Sequence, residues 1–349
     1  MTIPTKTLGA VLYQPKEPLQ VEELWLPELK PGQVLVDVAF SGLCHSQLLE
    51  VQGERGPDKF LPHALGHEAS GVVLSVGHEV TKVAPGSRVV LSWIAGTGAA
   101  APGPVYRNCR DEVVNAGPVA TFLRHAIVSE NRCYPLPTSL PLDIAALFGC
   151  ALPTGCGLFW RKLRAKKGES LVILGAGGVG LSTLLAGSLE GCFPRIVVDI
   201  YPEKLALAKK LGATHTLLFD SEKIQSAVLE LTRGVGADHV VEASGNIRAM
   251  ESALALARAR GGQVLLAGNI PAGERISIDP YALIYGRVLL GTAGGESVLS
   301  EDIEKLEGLY RNPHFPMEGL LGERFPIEKI NTAMERLRTG ALGRILISS

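Results

Sequence analysis

From the start of the chain to about residue 150, apolar positions fall in short, Val-rich runs such as 33–40 and 71–76. Turn signals at Pro31-Gly32, Gly77 and Pro85-Gly86 bound these runs, so each reads as a short β-strand. Several such strands at this spacing predict a partly open barrel. The stretch 143–147 predicts a short helix leading into Gly149.

Near residue 155 the pattern changes. Runs of strand length at 171–174, 195–199, 214–218, 239–242, 264–267 and 288–291 alternate with helical stretches at 179–190, from Pro202, at 222–232 and at 247–260. Proline at 202 suits a first helical turn. This alternation predicts a doubly wound parallel sheet. Two more helices and a final strand at 344–347 are expected after about residue 296. The fold class is therefore α/β: a β-rich domain over 1–155, a doubly wound domain over 156–295, and a C-terminal segment over 296–349.

Composition narrows the function classes. A chain of 349 residues exceeds one ordinary core, in keeping with two domains. Net charge is −1 with Lys and Arg dispersed, so no basic block points to nucleic acid or a membrane surface. No run of 18 apolar residues occurs, and the N-terminal MTIPTKTLGA lacks an apolar signal core; a cytoplasmic protein is expected. The six cysteines are scattered, which favours metal or free-thiol roles over disulfides. Cys109, Cys133 and Cys192 are expected to be small buried hydrophobes.

The first chemistry lies at Leu171-Val172-Ile173-Leu174-Gly175-Ala176-Gly177-Gly178-Val179-Gly180. A Gly-x-Gly-x-x-Gly that leaves a strand and opens a helix is a dinucleotide-binding turn. Gly175 allows the tight turn, Gly177 lets the pyrophosphate approach the backbone, and Gly180 lets helix pack on sheet. The N-terminus of the helix at Gly178-Val179 offers N–H groups and partial positive charge to phosphate. Asp199 ends the next strand, where a carboxylate binds both ribose hydroxyls and repels a 2′-phosphate. NAD is therefore expected over NADP, with Lys204 placed to add a bond to the same ribose.

The second chemistry is less specific. Cys44-His45-Ser46, Gly66-His67-Glu68 and Gly149-Cys150 offer two thiolates and an imidazole, the ligand set of a catalytic zinc with one open position. Spacing alone leaves a buried thiol or a core histidine equally open at each place.

Read together, these segments resemble the zinc-dependent medium-chain alcohol dehydrogenases. The resemblance is carried by Gly42-Leu43-Cys44-His45-Ser46, Leu65 to Gly71, Pro85 to Val89, Gly149-Cys150, the glycine-rich turn and Gly236-Ala237-Asp238. It implies a GroES-like catalytic domain closed by the C-terminal segment, and a Rossmann domain. It further implies one catalytic zinc on Cys44, His67 and Cys150, with Glu68 near the metal as an exchangeable ligand. Ser46 takes the alcohol proton in this reading, while His45 and Arg344 touch the cofactor pyrophosphate. Thr154 packs against the nicotinamide, and Trp93 and Phe122 shape the substrate pocket. A homodimer or homotetramer is implied, joined through the strand at 288–291. The partner molecule is a small alcohol or carbonyl compound; secondary alcohols, polyols, cyclitols and sugar derivatives are favoured.

The chain departs from that family in three places. The segment from Gly96 to Arg110 keeps only Cys109 of the four cysteines that hold a structural zinc in many relatives. Gln47 stands where relatives have Asp, and Leu49 where many have a relay His. Two alternatives follow: a zinc-free reductase of the same superfamily, which Asp199 and the ligand set argue against, and a non-catalytic NAD-binding scaffold.

Overall fold

The computed structural model describes residues 3–136 and 140–349. The chain forms two compact units. The first holds the residues up to Cys150 together with Val298–Glu307 and Leu321–Ser349; the second holds Ala151–Ser297 and Gly308–Leu320. The break falls directly after Cys150, slightly earlier than the expected 155, because Ala151 already begins a buried helix, Ala151–Gly157, packed on the helix that follows the glycine-rich turn. Part of the C-terminal segment, 308–320, belongs to the second unit.

In the first unit the expected single open barrel is instead two structures. Lys6–Leu12, Gln20–Trp25, Val105–Asn108, Val113–Asn115 and His63–Ala64 close a small barrel. Beside it lies a seven-stranded sheet centred on Gln33–Gly42. That long strand pairs antiparallel with Glu68–Val76 and with His125–Ser129. Its far end receives Arg344–Ser348 antiparallel, with Leu346 opposite Gly42. The apolar faces meet in cores that include Val34, Val36, Val73 and Leu91, and Leu43, Leu65, Phe122 and Ile345.

The second unit matches the predicted winding closely. Six parallel strands run in the order His215–Leu218, Arg195–Asp199, Leu171–Leu174, His239–Glu242, Gln263–Leu266 and Val288–Gly291. All four residues of Leu171–Leu174 are buried, as a central strand covered on both faces requires. The chain winds outward from this strand first to one side and then to the other, which leaves a crevice at its carboxyl end. Among the described residues, no single helix is long and apolar enough to cross a membrane.

Candidate metal centre and dinucleotide site

Three connections in the first unit assemble the metal centre. Gln33–Gly42 runs directly into Leu43 and Cys44, and Cys44 caps the short helix His45–Val51. Glu68 opens its strand opposite Ser92, which places His67 and Trp93 at one end of the sheet. The Ser92 hydroxyl donates to the Gly149 carbonyl at 2.6 Å and so ties Cys150 to the same end. A Cβ at Gly149 would lie 2.5 Å from the Leu91 carbonyl oxygen and 2.6 Å from the Glu68 Cβ, so only glycine permits this approach.

The ligand atoms of Cys44, His67 and Cys150 all lie within 4.8 Å of one another. His67 Nε2 is buried and has no hydrogen-bond partner, as a nitrogen meant for a metal would be. The Cys44 thiol is held well below its ordinary value, first by a hydrogen bond from Cys150 and then by the Arg344 guanidinium, against the effect of burial. Cys150 is pushed up by that same hydrogen bond and by burial. One thiolate thus forms readily and the second requires a cation.

Charge completes the fit. Glu68 is fully buried, and Arg344, itself only 7% exposed, donates from Nε to Glu68 Oε1. Two thiolates, one carboxylate and one guanidinium leave a deficit that a divalent cation cancels. The donor set therefore suits zinc, with three protein ligands and room for a fourth.

The structure revises several expected positions. Arg344 does not stand free for phosphate; its buried charge is paired with Glu68, because an unpaired guanidinium at that depth would be costly. Its Nη2 alone is buried without a partner. Glu68 correspondingly turns to Arg344, outside the three-donor cluster. Phe122 is fully buried in the core with Leu43 and Leu65, and its backbone is pinned to Leu65 and Ala10, so it supports the site instead of lining a pocket. Cys109 is exposed, not buried, while burial pushes the Cys133 thiol up to about 12 and the Cys192 thiol up to about 11.

The other expected residues are placed as follows. Ser46 Oγ is buried without a partner, two residues after Cys44 in the chain, and His45 is exposed. Trp93 is 38% exposed and meets the His67 ring edge-on at 6.5 Å between centroids; it borders the metal centre and is no core aromatic. Gln47 bridges two site residues, accepting from the Cys44 N–H at 2.9 Å and meeting His67 Nδ1 with its amide nitrogen. The three-way group Glu50, Asp58 and His63 went unread in the sequence; His63 and Asp58 already satisfy each other at 2.7 Å.

In the second unit, Gly175 adopts φ +102°, closed to most side chains. A Cβ at Gly180 would lie 1.9 Å from the Gly175 carbonyl oxygen, whereas one at Gly177 would enter open space above the turn. That open space lies at the start of the helix Gly178–Leu189, where backbone N–H groups suit a phosphate. Asp199 accepts from the Ala176 N–H at 2.7 Å and the Tyr201 N–H at 3.0 Å, so the carboxylate is fixed beside the turn. The Lys204 ammonium lies 5.0 Å from the Tyr201 ring centroid. Thr154 Oγ1 is buried without a partner.

Comparison with known proteins agrees with this geometry. Residues 30–138 match the alcohol dehydrogenase GroES-like domain, and residues 178–310 match the zinc-binding dehydrogenase domain. The chain is 29% identical to S-(hydroxymethyl)glutathione dehydrogenase of Saccharomyces cerevisiae, over 99% of this chain and 97% of that one. It superposes on an alcohol dehydrogenase zinc-binding domain protein of Burkholderia ambifaria with a TM-score of 0.88 and 28% identity, covering 98% of both chains. Benzyl alcohol dehydrogenase of Acinetobacter calcoaceticus gives a TM-score of 0.87 at 26% identity, covering 98% of this chain and 99% of that one. The chain belongs to the zinc-dependent medium-chain dehydrogenase family. It is an alcohol oxidoreductase that uses zinc and NAD.

Proposed function

We propose that this enzyme interconverts a secondary alcohol, polyol, cyclitol or sugar derivative and its carbonyl compound, with Cys44, His67 and Cys150 holding the zinc. The observation that carries the reading is the cluster of three donors within 4.8 Å, in which His67 Nε2 is buried without a partner; Ser46 Oγ, two residues after Cys44, is buried and unpartnered as well. Bound there, zinc supplies Lewis-acid polarisation of the substrate oxygen. Ser46 Oγ receives the hydroxyl proton. Leu49, buried on the same helix, carries no group to pass it on, so the proton leaves toward the exposed His45 or water. Trp93 limits the substrate beside His67. Asp199 holds the adenosine ribose and rejects a 2′-phosphate, Lys204 adds to that ribose, and Gly175, Gly177, Gly178, Val179 and Gly180 seat the pyrophosphate. Thr154 Oγ1 is kept for the nicotinamide, while Arg344 serves to neutralise the buried Glu68.

The preference for a larger substrate rests on the Gly/Ala/Pro segment 96–104, which replaces a metal-bound lobe, and is in keeping with the benzyl alcohol and S-(hydroxymethyl)glutathione named for the two relatives. Assembly into dimers or tetramers is supported by the edge strand Val288–Gly291 and by exposed Tyr281, Ile284 and Tyr285 nearby in sequence. Six free cysteines favour a reducing compartment such as the cytoplasm. Initial rates with NAD across ethanol, benzyl alcohol, a 2,3-diol, a hexitol and a cyclitol test the reading. Activity confined to ethanol would overturn it.

A further inference from the structure

Gln47 presents one acceptor and one donor to two neighbours that both become donors when His67 binds metal. In this structure the amide reaches both neighbours. Oε1 accepts the Cys44 N–H at 2.9 Å, and the Nε2 amide faces His67 Nδ1. An amide N–H can meet Nδ1 only if that nitrogen offers its lone pair, which puts the ring proton on Nε2. A metal ligand needs the reverse: the lone pair of Nε2 goes to the cation, and the proton sits on Nδ1 as a donor. The Cys44 N–H and the Nδ1–H would then both face one amide. Whichever way the amide turns, one terminal atom is an NH₂ that opposes an N–H. Gln47 is only 1% exposed, so water cannot repair the mismatch.

We infer that Gln47 is a positioning residue that holds His67 in the tautomer of the metal-free site and thereby makes the zinc exchangeable. A carboxylate of the same shape accepts from both neighbours and removes the conflict. The inference rests on His67, Cys44 and Cys150 being the zinc ligands. It goes beyond that reading because it concerns how firmly the metal is kept, not where it sits. The effect falls on retention first: loaded wild-type protein gives up zinc faster than the isosteric Gln47→Glu variant, and the Cys44 N–H or the His67 Nδ1–H is left without an acceptor while zinc is bound.

The test has two arms. Zinc release from the loaded protein into excess chelator is followed for wild type, Gln47→Glu and His67→Asn. Release about 10–100-fold slower in Gln47→Glu is expected; release as fast as wild type or faster, from a variant with unchanged circular dichroism, overturns the inference. The second arm needs no folded variant at position 47. Nitrogen-15 spectra of His67, assigned by its loss in His67→Asn, report which ring nitrogen holds the proton. Metal-free wild type should show the proton on Nε2, and the zinc-loaded protein should show it on Nδ1. A proton already on Nδ1 without metal would sink the idea. Full zinc retention in His67→Asn would instead sink the ligand assignment beneath it.

Discussion

Glu130→Gln tests how the segment after Trp93 is held. The Glu130 carboxylate is 1% exposed. Its Oε1 accepts the N–H groups of Thr81 and Lys82, each at 2.6 Å, and its Oε2 accepts that of Ala99 at 2.6 Å. Burial alone would raise this group, yet the backbone N–H groups of Ala99, Lys82 and Thr81 hold it below the ordinary glutamate range. A glutamine keeps the shape but has one oxygen. Left on Thr81 and Lys82, that oxygen makes two neutral bonds in place of charge-assisted ones, a loss of about 1 kcal/mol each. The new NH₂ then faces the Ala99 N–H, and a buried donor without a partner costs about 1–3 kcal/mol. Of the expected total, about 3–5 kcal/mol, only the Ala99 part, about 1–3 kcal/mol, falls on opening of the 96–104 segment. Amide exchange at Ala99 to Ala101 should therefore accelerate on the order of 10–10²-fold. Mass spectrometry after proteolysis reads this directly, and exchange within threefold of wild type would refute the reasoning. The pH dependence has a definite sign. A carboxyl lowered in the folded state contributes fully above its unfolded value, ordinarily 4.5, and loses that contribution as pH falls through the lower folded value. Wild-type protection of the segment should decline across that acid window, while Glu130→Gln stays flat.

Cys44→Ser and Cys150→Ser should each reduce zinc from about one per subunit to none, by elemental analysis, with turnover lost in step. Arg344→Met leaves the fully buried Glu68 without its cation and should destabilise the protein by about 3–5 kcal/mol in urea unfolding. Adding Glu68→Gln should restore most of that loss, and a double variant no better than the single would refute the pairing. Asp199→Ala should shift the ratio of kcat/KM for NAD over NADP toward NADP by about tenfold or more, since removing the carboxylate removes the repulsion of a 2′-phosphate; an unchanged ratio would remove Asp199 from the ribose.

The doubly wound half was legible because its signals are local. Leu171–Leu174, Arg195–Asp199, His239–Glu242 and Val288–Gly291 stand where the apolar runs end, and strand, glycines and acid lie within thirty or so residues of one another. The metal centre was legible only in its parts. Cys44, His67 and Cys150 meet through sheet pairing and a Ser92–Gly149 bond, which no spacing rule encodes, so family resemblance had to join them. Arg344 was read as a phosphate ligand because no local pattern tells that its strand docks beside Gly42. Phe122 has the composition of a pocket wall and the burial of a core residue. Glu130 was invisible: an acidic residue in a β-rich stretch gives no hint that three backbone N–H groups converge on it.

The docking of Arg344–Ser348 onto Gln33–Gly42 also sets an order of assembly. A nascent chain that has emerged only through Cys150 already owns both thiols and the imidazole, but it lacks the guanidinium that neutralises Glu68, 276 residues away in sequence. The Glu68 carboxylate, fully buried in the finished fold, has no fixed cation beside it until then. Closing so long a loop is slow compared with forming the local hairpins. The finished surroundings of the three donors, with Glu68 neutralised by Arg344, therefore form only once this late strand has docked.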